Sequence, residues 1–297
     1  MKKNLASVFS FILSLFLAFS LLAGSLCLFL YHTALDEKDL IRTADESKYG
    51  EELYEEITDS WENLFAITGV SQPKPMLKVL TEKSVEDDAF SYLRSSFEGK
   101  GKIDTAELEK ALDEKLREYV KAQGEEEISE EVEKNIRDLV SSCKTKYEKG
   151  IRVPMLPTVL GKAGAVRKYL PTASIAAFVF ALALAVFIFF LQKKKKETLY
   201  FLAISAATCG IVFLGAAFFA EGYELTSRLP LEDSALLTLM ASFLQFLIDE
   251  ILLMGIAFFG AAVLILVLYL IFTFLLKEKD SENTVPAVAD EKEQTDS

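Results

Sequence analysis

The stretch Ser96–Glu107 (SFEGKGKIDTAE) holds the densest grouping of residues whose types and spacing could do chemistry. Its second half matches a calcium-binding EF-hand loop, with Gly101 sixth, Ile103 eighth and Glu107 twelfth. The chemistry would be capture of a hard cation by carboxylates and a carbonyl presented from a tight turn. The first half departs from that pattern. Ser96 stands first where an aspartate is needed, Lys100 stands fifth, and Lys102 adds another positive charge that would repel the ion. The stretch therefore reads as a glycine turn feeding a helix, with Asp104 and Glu107 at the spacing of a helix start. Zinc is not expected either, because His32 is the single histidine and has no second histidine or cysteine near it.

Other reactive types offer less. Of the three cysteines, Cys27 and Cys209 fall in apolar stretches and Cys143 stands alone in a polar one, on the apolar stripe of a helix, where a buried structural thiol is expected. Carboxylates are abundant but fall on polar faces at ordinary surface density, so no pair stands out as acid and base. There is no P-loop, G-x-S-x-G, H-E-x-x-H or glycine-rich nucleotide loop. No catalytic residue, cofactor or metal ligand is nominated, and the chain is not expected to be an enzyme. A net charge of −12, concentrated in the acidic polar stretch, argues against nucleic acid as a partner.

The elements that would position any such residues are blocks of opposite character. Apolar residues make up 51% of the chain and charged ones 26%, and the two populations are segregated along it. That segregation belongs to a multi-pass membrane protein with a soluble appendage. The reading is an N-terminus at 1–4, span one at 5–31, a polar insert at 32–170, span two at 172–191, a loop at 192–198 and span three at 199–220. An outer loop follows at 221–250, then span four at 251–276 and a disordered tail at 277–297. The apolar run at 235–248 is about 14 residues, too short to cross before Asp249-Glu250, so an apolar interfacial helix is expected over 233–248, after a start signal at Pro230. The first apolar run is too long for a signal core and lacks a clean cleavage site, so it is read as uncleaved.

Orientation follows from lysines. Lys193, Lys194, Lys195 and Lys196 sit in a loop too short to translocate as a domain, which fixes it inside, and Lys2, Lys3, Lys277 and Lys279 agree. Both termini are then cytoplasmic and the insert is extracytoplasmic. Within the insert, Leu53, Ile57, Trp61, Leu64 and Phe65 predict one long or two short helices over 36–68. A second helix is expected over 76–97 with a break near Ser84, a third carries Leu108, Leu112 and Leu116, and a fourth carries Ile136, Cys143 and Tyr147. Gly69, Gly99, Gly124 and Gly150 are the expected stops. Residues 151–170 are expected to connect to span two, either at the lipid interface or as a linker. The fold class is all-α: a four-helix transmembrane bundle with an all-helical extracytoplasmic domain between spans one and two.

Small residues recur at four-residue spacing within the spans: Ser10, Ser14 and Ala18; Ala173, Ala177, Ala181 and Ala185; Ala206 and Gly210. Such ridges let helix backbones approach closely in lipid. They could serve packing within the bundle or a docking face for a second copy or a partner. No charged residue falls inside any expected span, which disfavours pumps and ion-coupled carriers.

The lysine-led first span, Tyr31-His32-Thr33-Ala34-Leu35, Tyr49-Gly50-Glu51-Glu52-Leu53-Tyr54 and the return at Pro154-Met155-Leu156-Pro157 resemble, in layout, a loose group of bacterial four-span membrane proteins with a helical extracytoplasmic insert after the first span. The resemblance implies a cell-envelope protein of a Gram-positive-like cell and carries no activity or site residues with it. The expected function is protein interaction or envelope sensing through the insert, with the lipid bilayer and a protein as partners. The alternative is an accessory membrane subunit of a transport or channel assembly.

Overall fold

The structure is a computed structural model that describes residues 2–124, 128–192, 195–223 and 234–282, with side chains between Ser7 and Phe274 except at Lys195 and Ser234. Expectations resting on the side chains of Lys2, Lys3, Lys193, Lys194, Lys195, Lys277 and Lys279, on the start at Pro230 and on most of the tail lie outside this description. Among the described residues every regular element is a helix. Four helices are long and apolar enough to cross a membrane: Ser7–Ala34, Leu170–Leu191, Lys196–Gly222 and Ala235–Phe274.

In chain order, α1 spans Lys2–Phe29 and runs into a π-turn at Leu30–Ala34; α2 is Glu37–Glu46, α3 Tyr49–Ile67, α4 Lys74–Leu77 and α5 Glu82–Phe97. Then come α6 Ala106–Ala122, α7 Glu130–Ile151, α8 Leu156–Arg167, α9 Leu170–Leu191, α10 Lys195–Gly222 and α11 Ser234–Glu282. Contacts divide the chain into two compact units: a bundle unit of residues 1–24, 175–216 and 251 onward, and an insert unit of 25–174 and 217–250.

The insert unit is built on α3. Its apolar residues recur at i+4, so Leu53, Ile57, Trp61 and Phe65 form one stripe that is almost wholly removed from solvent. Around it pack Val85, Ala89 and Leu93 of α5, Leu112 and Leu116 of α6, and Ile136, Cys143 and Tyr147 of α7. The buried Trp61 indole cannot go unpaired, and its Nε1–H donates to the Cys143 carbonyl at 3.1 Å. Gly69 ends α3 at φ +79 in a Schellman arrangement, with Val70 N–H on Phe65 O at 3.0 Å. Gly99 ends α5 the same way, at φ +75 with Lys100 N–H on Ser95 O at 3.0 Å.

Of the one long or two short helices expected over 36–68, the structure has two, because Lys48 adopts a left-handed φ of 57 between them. Other expectations are refined or corrected here. The break in the second region falls before Thr81; Ser84 is the residue whose hydroxyl completes the capping box on Thr81. Gly150 does not stop α7, which continues to Ile151. A Cβ there would lie 2.8 Å from Ile57 Cγ1, so this glycine serves the close approach of α3 and α7. The connector contains a regular helix, α8, whose Pro157 sits in the first turn where a missing N–H costs nothing. Finally, α11 runs unbroken through Asp249-Glu250, because 234–254 holds no proline or glycine to interrupt it and Gln245 Nε2 donates to Asp249 Oδ1 at 3.0 Å. Its start belongs to the insert unit: Ala235 and Leu239 join that core, and Ala235 N–H donates to Glu56 Oε1 at 2.9 Å.

Candidate functional site

The calcium-like stretch is used for folding. Ser96 is fully buried and its Oγ donates to Tyr92 O at 2.7 Å. Lys100 Nζ pairs with Glu98 Oε2 at 2.7 Å, which holds that carboxyl below the usual carboxylate range. Asp104 Oδ1 accepts from Ala106 N–H at 3.1 Å as an Asx turn, so Thr105 and not Asp104 is the N-cap of α6. Gly101, which imitates the ion loop, and Gly99 beside it have a structural reason. The Pro157 ring occupies the space a Cβ on Gly101 would need, and a Cβ on Gly161 of α8 would lie 2.8 Å from Gly99 Cα. The stretch is the seat of α8.

The best candidate site is a groove of about 460 Å³ in the insert unit, bounded by the end of α3, α6 and α7. Leu116, Tyr119, Val120, Val132, Ile136 and Leu139 make it apolar; Asn135, Asp138 and Ser142 supply polar groups along one side. The walls come from stripes already apparent in the sequence; α6 and α7 meet through Leu112, Leu116, Ile136 and Val140 and are also bridged by charge. Arg117 of α6 donates to Asp113 at 2.6 Å and to both Glu133 oxygens of α7 at 2.7 Å. The hydrogen bonds from Arg117 depress the Glu133 carboxyl and raise the guanidinium. Glu109 is lowered mainly by Lys144, whose Nζ lies 2.6 Å away across the same helix pair. At the groove rim the Tyr119 hydroxyl meets Ser71, accepting its N–H at 3.2 Å with Ser71 Oγ at 3.0 Å. A concave apolar face with a few fixed polar groups suits a hydrophobic side chain or short helix of a partner.

A further pair, with Tyr147 buried and Asp88 half-buried, went unnoticed in the sequence. Tyr147 Oη donates to Asp88 Oδ2 at 2.5 Å, linking α7 to α5. Burial is the larger influence on both groups and pushes both upward, the tyrosine strongly. Cys143 is fully buried on the α7 stripe, and burial pushes its thiol up to about 12. A thiol so protonated is a poor nucleophile.

In the bundle unit Ser10, Ser14 and Ala18 lie on one buried face of α1, and Ala181, Ala206 and Gly210 are buried too. Ala177 and Ala185 are half-buried, and Ala173 is exposed. A strict four-residue step drifts about 40° per repeat around a 3.6-residue helix, so such a ridge leaves the contact face at its ends. Residues 174, 177, 181, 184 and 188 follow the buried face of α9 more closely. Partners missed in the sequence join these positions. Gln192 Nε2 donates to Ser10 Oγ at 2.6 Å, and Ser205 Oγ donates to Ser14 O at 2.8 Å. Ser20 Oγ donates to Ala177 O at 2.7 Å. Gly210 meets the α11 backbone, where a Cβ would lie 2.8 Å from Phe259 N, and Gly255 stands equally close to Leu214 N of α10. Of the topology lysines only Lys196 has a described side chain, and it is half-exposed.

No protein-family model, no curated protein and no solved structure matches this chain, so the groove, the α8 seat and the polar seam stand on their own geometry.

Proposed function

We propose that the chain is a multi-pass membrane protein whose helical insert, displayed outside the cytoplasm, binds a protein partner or senses the state of the envelope. The observation that carries this reading is the groove between α3, α6 and α7, an apolar concavity on a domain with its own dense core. Trp61 and its neighbours give that domain a fixed shape, and fixed shape is what recognition requires. The net charge of the chain leaves proteins, rather than nucleic acid, as the natural partners. Catalysis is not part of this proposal.

Two experiments test it. Reporter fusions after Gly124 and after Glu197 should report opposite faces of the membrane; the same face for both overturns the topology. A photocrosslinker at Leu139, inside the groove, should give a discrete adduct in intact cells, whereas one at the exposed Lys110 should not. Free monomer from both positions removes the interaction reading.

A second reading is an accessory subunit of a transport or channel assembly. It is favoured by the close glycine contacts and small-residue faces of the spans, which are the means by which membrane helices associate. Co-purification with a permease or an ATPase, undisturbed by substitution in the groove, would select it.

A further inference from the structure

The geometry points to the outward face of α8 as a contact for an anionic phospholipid surface. Gly161 and Gly164 turn the opposite face inward: a Cβ on either would come within 2.8 Å of Gly99 Cα or 3.1 Å of Phe97 O. Leu156 and Leu160 complete that inner face against the core. Arg167 ties the end of the helix down, pairing with Asp36 at 3.1 Å and donating from Nε to Tyr31 O at 3.2 Å. What remains outward is Met155, Val159, Val166 and Tyr169, at 73, 56, 55 and 75% exposure. Val159 and Val166, seven residues apart, lie on one side of the helix, and Met155 and Tyr169 flank its two ends.

Two observations name the occupant. Val166 is four residues from Leu170, where the membrane-crossing helix α9 begins, and four residues reach only about 14 Å even when extended. The charge also changes sign here. In an acidic insert, 151–170 contains no Asp or Glu but does contain Arg152, Lys162, Arg167 and Lys168. Arg152 and Arg167 are taken by Glu148 and Asp36, and no salt bridge among the described residues holds Lys162 or Lys168. Apolar side chains flanked by uncommitted lysines fit the boundary between acyl chains and anionic headgroups.

The test uses the full chain in vesicles of phosphatidylcholine with or without phosphatidylglycerol, carrying Val166→Trp, with Val159→Trp as a second site should the first misfold. Trp61, fully buried, supplies the wild-type baseline. The added tryptophan should lose emission about twofold to lipids brominated near the headgroup, the depth of an interfacial helix. The loss should be greater with phosphatidylglycerol and shrink in the Lys162→Glu/Lys168→Glu background. Quenching by aqueous acrylamide without quenching by bromolipid would put the face in water and overturn the proposal. Shielding from both would mean that a second copy covers it, and indifference to phosphatidylglycerol would remove the anionic surface; either result also overturns it.

Discussion

In the insert unit the residues most completely removed from solvent are among its largest, Trp61, Tyr49, Tyr147 and Phe65. In the bundle unit they are mostly small: Ser10, Ser14, Ala18, Ala181, Ser205 and Cys209. The large apolar side chains of the spans, such as Phe16, Phe180, Phe190 and Leu264, point away from their own bundle. The difference follows from solvent. Water drives large side chains together, so the insert is packed by the area it hides. Lipid is as apolar as leucine and gives no such drive, so membrane helices gain by close backbone approach and by hydrogen bonds from small polar groups. Ser205 on Ser14 O and Gln192 on Ser10 are bonds of that kind.

The sharpest way to break this contrast is to delete the largest core side chain. Trp61→Ala removes a fully buried indole and its bond to Cys143 O, and should destabilise the insert by about 3–5 kcal/mol. Urea unfolding followed by far-ultraviolet circular dichroism should show a separate early loss of helix while the spans persist. A single shifted transition would mean that the two units do not unfold independently.

The converse substitution enlarges the smallest residue of the bundle. Gly210→Leu places side-chain atoms where a Cβ alone would already lie 2.8 Å from Phe259 N, and should cost about 1–3 kcal/mol of bundle stability. Gly215 has nothing within 4 Å of its Cβ position, so Gly215→Ala should be neutral or mildly favourable, within about 1 kcal/mol. Helix retention in rising concentrations of sodium dodecyl sulfate separates the two. Equal behaviour would mean that close approach contributes nothing.

Smaller still is Gly101→Ala. It forces a left-handed φ of +53 on a residue with a Cβ and presses that Cβ into Pro157, at a cost of about 1–2 kcal/mol. The effect should appear as faster proteolysis around α8, with the Trp61 core intact. Unchanged proteolysis would mean that Gly101 is not what seats α8.

Much of this was legible because it depends on local pattern. The Leu53-Ile57-Trp61-Phe65 stripe, the stops at Gly69, Gly99 and Gly124 and the four apolar stretches follow from periodicity and chain conformation. What was not legible depends on pairs remote in sequence. Gly150 and Gly101 look alike in the chain, yet the first is helical and exists for Ile57, and the second is left-handed and makes room for Pro157. The groove likewise needs α6 and α7 to meet, where Arg117 finds Glu133, and Gly255 has meaning only against Leu214. Single-residue signals do not carry such information.

The finest test is electrostatic and belongs to the insert alone. Burial raises the Asp88 carboxyl, so its folded pKa exceeds its unfolded value of about 3.8. The folded state then binds this proton more tightly, and the resulting stabilisation is fully present below the unfolded pKa and lost as pH rises through the folded one. Glu109 and Glu133, held low by Lys144 and Arg117, act in the opposite direction: their stabilisation is present above their unfolded pKa and lost as pH falls through the folded one. Asp88→Asn removes only the first contribution while leaving an acceptor for Tyr147. The stability of the wild type relative to Asp88→Asn should therefore decline from the most acid conditions that preserve the fold toward neutral pH. A difference that grows with pH would mean that the Tyr147 hydrogen bond, and not burial, sets this carboxyl.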